Sequence, residues 1–224
     1  IQNSHQDLYQ DNVKSNNVST DRIRAVRVGL NGRKSLKSSY NTARFLYSQG
    51  FEGWDDTLTG DQQDSNLDSK PDFSTYKLDL SRQQYLGNSG IVLELNASGQ
   101  IASAPLPTPE KFSFGGPDYG RGFANSHIFG DAGWSSSVQL SKNMYSKNGK
   151  TISPFVWLDY GQTDDLTGDK RENSASTYGI GVGGNFNRDT TFEISVGIPG
   201  VDDSNPSKTG PDHSIFKFNL GLQF

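Results

Sequence analysis

Between residues 214 and 224 every even position is apolar, with Phe216, Phe218, Leu220, Leu222 and Phe224 in turn, while Lys217, Asn219, Gly221 and Gln223 take the odd ones. A strict period of two marks a β-strand with two unlike faces. The pattern recurs upstream. Residues 191–199 set Phe192, Ile194, Val196 and Ile198 against Glu193, Ser195 and Gly197; residues 178–186 set Tyr178, Ile180, Val182 and Phe186 against Gly179, Gly181, Gly183 and Asn185. In 154–161, Val156, Leu158 and Tyr160 alternate with Phe155, Trp157 and Asp159, and 134–140 places Trp134, Val138 and Leu140 among small and polar residues. Shorter versions occupy 90–96, 76–81, 42–48 and 24–31, so about nine strands are predicted, the first the weakest.

Alternation alone leaves a soluble sandwich open, because a sheet buried on one face alternates too. The connections add an independent signal. Long polar links (51–73, 98–130, 162–176, 200–213) alternate with shorter ones (82–89, 142–153, 187–190). A sandwich has no reason to sort loop length by side, whereas an outer-membrane barrel has short periplasmic turns and long external loops. With the C-terminal end in the periplasm, the long loops lie outside, and they are rich in Asp, Asn, Ser and Gly as solvated loops should be.

The chain has 224 residues, of which 32% are hydrophobic, and no apolar run approaches the roughly 18 to 20 residues that a spanning helix needs. A barrel strand needs only about 9 to 11, every second one apolar, so this polar average is compatible with a membrane. The net charge of −4 gives no footing for nucleic acid, and the absence of cysteine excludes disulfides and thiolate metal sites. Residues 1–20 have neither a basic start nor an apolar core and read as a polar loop left from a truncated upstream region, not as a signal peptide. Single-chain bacterial barrels have even strand numbers, so an odd count points to a fragment. The predicted fold is all-β: an antiparallel transmembrane β-barrel whose C-terminal part is residues 21–224, with an inserted loop around 105–130.

That loop holds the candidate chemistry. The stretch Phe112-Ser113-Phe114-Gly115-Gly116-Pro117-Asp118-Tyr119-Gly120-Arg121-Gly122-Phe123 carries one arginine amid glycines and aromatics. Asp159 shares parity with Phe155 and Trp157, opposite Val156, Leu158 and Tyr160, so its carboxylate is expected to point inward. Charges in a membrane-spanning sheet must face a wet lumen, and an arginine meets a carboxylate bidentately, which fixes geometry as well as adding energy. Well solvated, such a latch contributes about 1 kcal/mol or less; the alternative is two independent surface charges.

Other strings carry less. Gly179-x-Gly181-x-x-Gly184 matches a dinucleotide fingerprint but lies within a strand and leads into no helix, so these are read as small lumen-facing residues. Asp61, Asp64, Asp68 and Asp72 resemble a calcium loop in composition only, and His5, His127 and His213 are too scattered for a metal site. There is no Gly-x-Ser-x-Gly elbow. No enzyme, cofactor or metal is implied.

The order Phe-x-Phe-Gly-Gly, Arg-Gly-Phe, Asp131-Ala132-Gly133, Trp157-Leu158-Asp159-Tyr160-Gly161 and a terminal Phe224 resembles the barrel of two-partner secretion transporters, the haemolysin secretion/activation proteins of the barrel-assembly superfamily. The resemblance implies a 16-stranded complete barrel in the Gram-negative outer membrane. In it, the loop bearing Gly120, Arg121, Gly122 and Phe123 folds back into the lumen and Arg121 meets Asp159, flanked by Trp157 and Gly161. Phe112, Gly115, Gly116, Asp131 and Gly133 support the loop, and Phe224 is the assembly signal. Gly120 stands where the family has valine, and Trp157 where it has phenylalanine. The implied function is export of a large haemolysin- or adhesin-type exoprotein through the lumen without ATP, after soluble periplasmic domains bind it. The implied partners are that exoprotein, outer-membrane lipid and lipopolysaccharide, and the barrel assembly machinery. An insertase of the barrel-assembly type and a passive porin are the alternatives.

Overall fold

A computed structural model describes residues 4–9, 18–52, 68–147, 150–167, 172–187, 189–204 and 214–222. The strands are β1 (Ser4–Tyr9), β2 (Val18–Ile23), β3 (Ala25–Leu36), β4 (Ser39–Gly50), β5 (Ser74–Tyr85), β6 (Ile91–Ala102), β7 (Phe112–Phe114), β8 (Ile128–Gly130), β9 (Ala132–Lys142), β10 (Tyr145–Lys147), β11 (Lys150–Asp164), β12 (Glu172–Asn185), β13 (Thr190–Asp202) and β14 (Ile215–Leu222). Nine of them follow one antiparallel path, in the order β14-β13-β12-β11-β9-β6-β5-β4-β3, and β10 pairs with β11 off this path. Among the described residues β3 and β14 do not pair with each other, so the sheet is open and forms one sector of a barrel. The nine strands of this path coincide with the nine predicted from alternation. Phe224 lies outside the described residues.

One expectation needs correction. Residues 1–20 read as a polar loop, yet β1 and β2 form an antiparallel hairpin paired from Ser4↔Ile23 to Tyr9↔Val18. Neither Ser-His-Gln-Asp-Leu-Tyr nor Val-Ser-Thr-Asp-Arg-Ile alternates in hydrophobicity, so pairing here is carried by the backbone with no apolar face to betray it.

The sheet is inverted relative to a soluble protein. On β11, Phe155, Trp157, Asp159, Gly161 and Thr163 are buried while Val156 and Leu158 are exposed. The register carries the apolar face across neighbours, since Val156 opposes Leu140 on β9 and Ile180 on β12. Ile180 is 64% exposed and Phe216 66%, which water would oppose but hydrocarbon would not. Aromatic pairs mark both ends of this band: Tyr47–Tyr76 (5.0 Å between centroids) and Trp134–Tyr160 (5.2 Å) near the long connections, and Phe186–Phe192 (4.5 Å) at the opposite turns. Such girdles sit at the two membrane interfaces of outer-membrane barrels.

The remaining hydrophobic core lies on the inner face. Ile23, Ala25, Phe73 and Leu106 cluster near the long-connection end, while Phe114, Phe123, Ile128 and Ala175 cluster deeper. Both clusters include residues of the segment between β6 and β9, which therefore folds into the concave side of the sheet.

Candidate functional site: a loop docked on the lumen wall

After β6 the chain makes a 3-10 turn at Thr108–Glu110, a short hairpin of β7 and β8, and a glycine-rich tip between them. The tip closes on its own backbone: the Gly115 N–H donates to the Tyr119 carbonyl (3.1 Å), Phe123 N–H to the Gly120 carbonyl (2.8 Å) and Ser126 N–H to the Gly115 carbonyl (3.2 Å). Gly120 has φ +75°, and a Cβ there would stand 2.7 Å from the Gly115 nitrogen. Valine would be strained at this backbone conformation, so the departure from the family pattern serves a tight turn.

Arg121 sits at the tip, against the wall. Its Nη2 lies 2.9 Å from Asp159 Oδ1 and its Nε 3.1 Å from Oδ2, a bidentate pair. The Gly120 and Arg121 backbone N–H groups also donate to Oδ2, at 3.0 and 3.1 Å. Asp159 is 0% exposed and the Arg121 side chain 16%, so the pair is screened from water far more than a freely solvated latch would be. Trp157, one alternation away on β11, places its ring 4.2 Å from the guanidinium carbon. Gly161, on the same face, leaves room for the Phe114 ring, which a Cβ would overlap.

The sequence reading missed two partners. Arg121 Nη1 donates to Gln139 Oε1 (2.6 Å) and Nη2 to Ser137 Oγ (3.0 Å). Both lie on the inward face of β9, where Ser137 opposes Asp159 and Gln139 opposes Trp157. Their parity was legible, but their alignment with β11 depends on register. Beyond β11 the tip reaches three more strands. Gly122 packs on Thr177 of β12 and Ile198 of β13, and the Lys217 ammonium of β14 donates to the Gly116 carbonyl (3.1 Å). Phe123 stacks on His127 (4.0 Å, 1°), whose Nε2 lies 2.8 Å from Asp202 Oδ2. Burial, reinforced by Asp79, Asp118 and Asp159, pushes the Tyr119 phenol up to about 12, so it stays neutral in the loop.

Asp131 anchors the loop's stem. It is 0% exposed, accepting the Leu106 N–H on Oδ1 (2.8 Å) and the Leu166 N–H on Oδ2 (2.7 Å). Lys111 lies 3.5 Å from Asp131 and 2.8 Å from Asp165, and Gln100 Nε2 donates to the Glu110 carbonyl (2.9 Å). Arg27 of β3 pairs with Glu110. Gly133 gives way to the Phe112 ring, which lies 2.7 Å from where its Cβ would be. Two of the fingerprint-like glycines resolve the same way, with the rings of Trp157 and Phe155 over Gly179 and Gly181, whereas Gly184, read as lumen-facing, shares the outward parity of Ile180 and pairs with the exposed Ile152.

Opposite the docked tip, a cavity of about 820 Å³ separates the loop from β3–β6 and is lined by Arg33, Arg44, Lys77, Asp79 and Asp118. An apolar exterior, a charged interior and a loop fastened across that interior define a class: a transmembrane β-barrel whose lumen is occupied by its own chain. The family follows from comparison with known proteins. A model described as haemolysin secretion/activation protein ShlB/FhaC/HecB matches residues 6–186, and the chain belongs to that family, the two-partner secretion transporters of the Gram-negative outer membrane. Among solved structures, CdiB from Escherichia coli is similar in fold, with a TM-score of 0.75 and 19% identity over 91% of this chain and 37% of that one. The chain thus spans well under half the length of that relative. No curated protein matches the chain in sequence.

Proposed function

We propose that the chain is the barrel portion of a transporter that exports a large exoprotein of the haemolysin or adhesin type through the lumen, and that the loop bearing Arg121 is the gate. The observation that carries this reading is the convergence of four N–H donors of Gly120 and Arg121 on one buried carboxylate, Asp159. Asp159 gathers four of the tip's hydrogen bonds at one point of the wall, and Gln139, Ser137, Lys217 and Asp202 add further contacts, so the docked state is discrete. Breaking a buried pair by removing one partner costs about 3–5 kcal/mol, and when Arg121 is the partner removed its bonds to Gln139 and Ser137 go with it. Export would need no ATP, the exoprotein passing in extended form and folding outside. A complete barrel of 16 strands, upstream periplasmic domains that receive the exoprotein and insertion by the barrel assembly machinery belong to the same proposal.

The test is secretion of a co-expressed exoprotein by the full-length protein, comparing wild type with Arg121→Asp, Asp159→Arg and the double exchange, with surface labelling to establish insertion. Both single variants are expected to insert and to lose export. The exchange should restore only part of it, because an arginine at 159 still faces the backbone N–H groups that Asp159 accepts. Wild-type secretion unaltered by either single change would overturn the gate. A wild type that inserts and exports nothing would favour an insertase or a porin.

A further inference from the structure

The outward face of β3–β6 carries a groove of about 540 Å³. Its walls are Gly32, Ala43, Leu80 and Leu95, and its end toward the short turns is formed by Lys34, Asn41 and Arg82. These three residues form one cross-strand row, since Lys34 opposes Asn41 and Asn41 opposes Arg82. The row departs from the rest of the band: at comparable positions near the turns, β6, β9 and β11 present Leu93, Leu140 and Ile152 to the outside. The Arg82 guanidinium hydrogen-bonds, among the described residues, to neutral groups, Gln84 Oε1 at 2.5 Å and Asn41 Oδ1 at 3.5 Å. Among the described residues no carboxylate lies within ion-pair distance of either Arg82 or Lys34.

We propose that this groove binds an anionic phospholipid, with an acyl chain along Gly32, Ala43 and Leu80 and the phosphate between Lys34 and Arg82. Two uncompensated cations at the interfacial end of an apolar groove, on a face that meets hydrocarbon, complement a ligand with one negative head and an apolar tail. Glycine at 32 and alanine at 43 recess the wall where a chain must lie, while Leu80 and Leu95 flank it. Short turns of outer-membrane barrels face the periplasm, so the headgroup end lies in the phospholipid leaflet, away from lipopolysaccharide. The inference rests on the outer-membrane placement and is independent of the export reading, because its test measures lipid and not secretion.

The experiment is native mass spectrometry of the full-length protein after incubation with equimolar phosphatidylglycerol and phosphatidylcholine of the same acyl composition. Wild type is expected to retain phosphatidylglycerol preferentially. Lys34→Gln/Arg82→Gln should lose that preference, by about fivefold for each charge removed. Lys142→Gln, which removes a charge from the outer face of β9 outside this groove, should leave it unchanged. Arg82→Gln alone and the charge-keeping Arg82→Lys carry the same test if the double variant fails to insert. Equal retention of the two lipids, or a preference that survives Lys34→Gln/Arg82→Gln, would overturn the site and leave the groove to an unselective acyl chain or a neighbouring protein.

Discussion

Two buried aspartates hold the same loop in different ways. Asp159 stands within β11 and takes its partners from the tip, 38 or 39 residues away in sequence: two backbone N–H groups and the Nε–Nη2 edge of a guanidinium. Asp131 stands at the foot of β9 and takes backbone N–H groups from Leu106 and Leu166, with Lys111 beside it. The first joins a loop tip to the wall, at the contact that the proposed gating would release. The second joins the segment that follows β6 to the segment that follows β11. Under the proposed gating, fastening at the stem would limit how far a released tip travels.

The most disruptive change should be at the stem. Asp131→Ala removes the acceptor for the buried Leu106 N–H and the part-buried Leu166 N–H and leaves the Lys111 charge to Asp165, a loss of about 3–5 kcal/mol. Reduced insertion of the full-length protein, read by heat-modifiable gel mobility and surface labelling, is the expected result. Insertion and export equal to wild type would show that the stem anchor is dispensable and dissolve the contrast with Asp159.

A smaller effect is expected from overpacking beneath the tip. Gly161→Val would push its side chain into the Phe114 ring, costing about 1–3 kcal/mol, and should shift the tip without touching the ion pair itself. Raised pore conductance in planar bilayers with normal surface labelling is the outcome that separates tip from stem. Unchanged conductance would mean that Phe114 is not part of what seats the tip.

The smallest effect should come from Trp157→Phe. Among the described residues the indole Nε1 has no hydrogen-bond partner, so phenylalanine keeps a face for Arg121 and gives up no hydrogen bond to them. Export within about twofold of wild type is expected, corresponding to less than roughly 0.5 kcal/mol. A large loss would show that ring size, and not the carboxylate, positions the guanidinium.

Much of the architecture was visible in alternation. The nine strands of the main path and the inward parity of Asp159 each depend on residues two positions apart, a separation a reader can count. The hairpin of β1 and β2 escaped because its polar strands have no unlike faces. The loop was located by its glycines and its lone arginine, but what fastens it was only half legible. Ser137 and Gln139 show inward parity and nothing more, and Asp131 stood out as part of a motif without disclosing that it holds two chain segments together.

The sequence by itself determined a sheet with an apolar outside and a polar inside, because a strand's faces are set by the local geometry of the backbone. Only the tertiary structure decided which inward residues meet. Register places Ser137 opposite Asp159, and the curvature of the sheet brings the Lys217 ammonium to the Gly116 carbonyl across 101 residues. Those contacts depend on how strands slide and bend relative to one another, and a period of two contains no information about either.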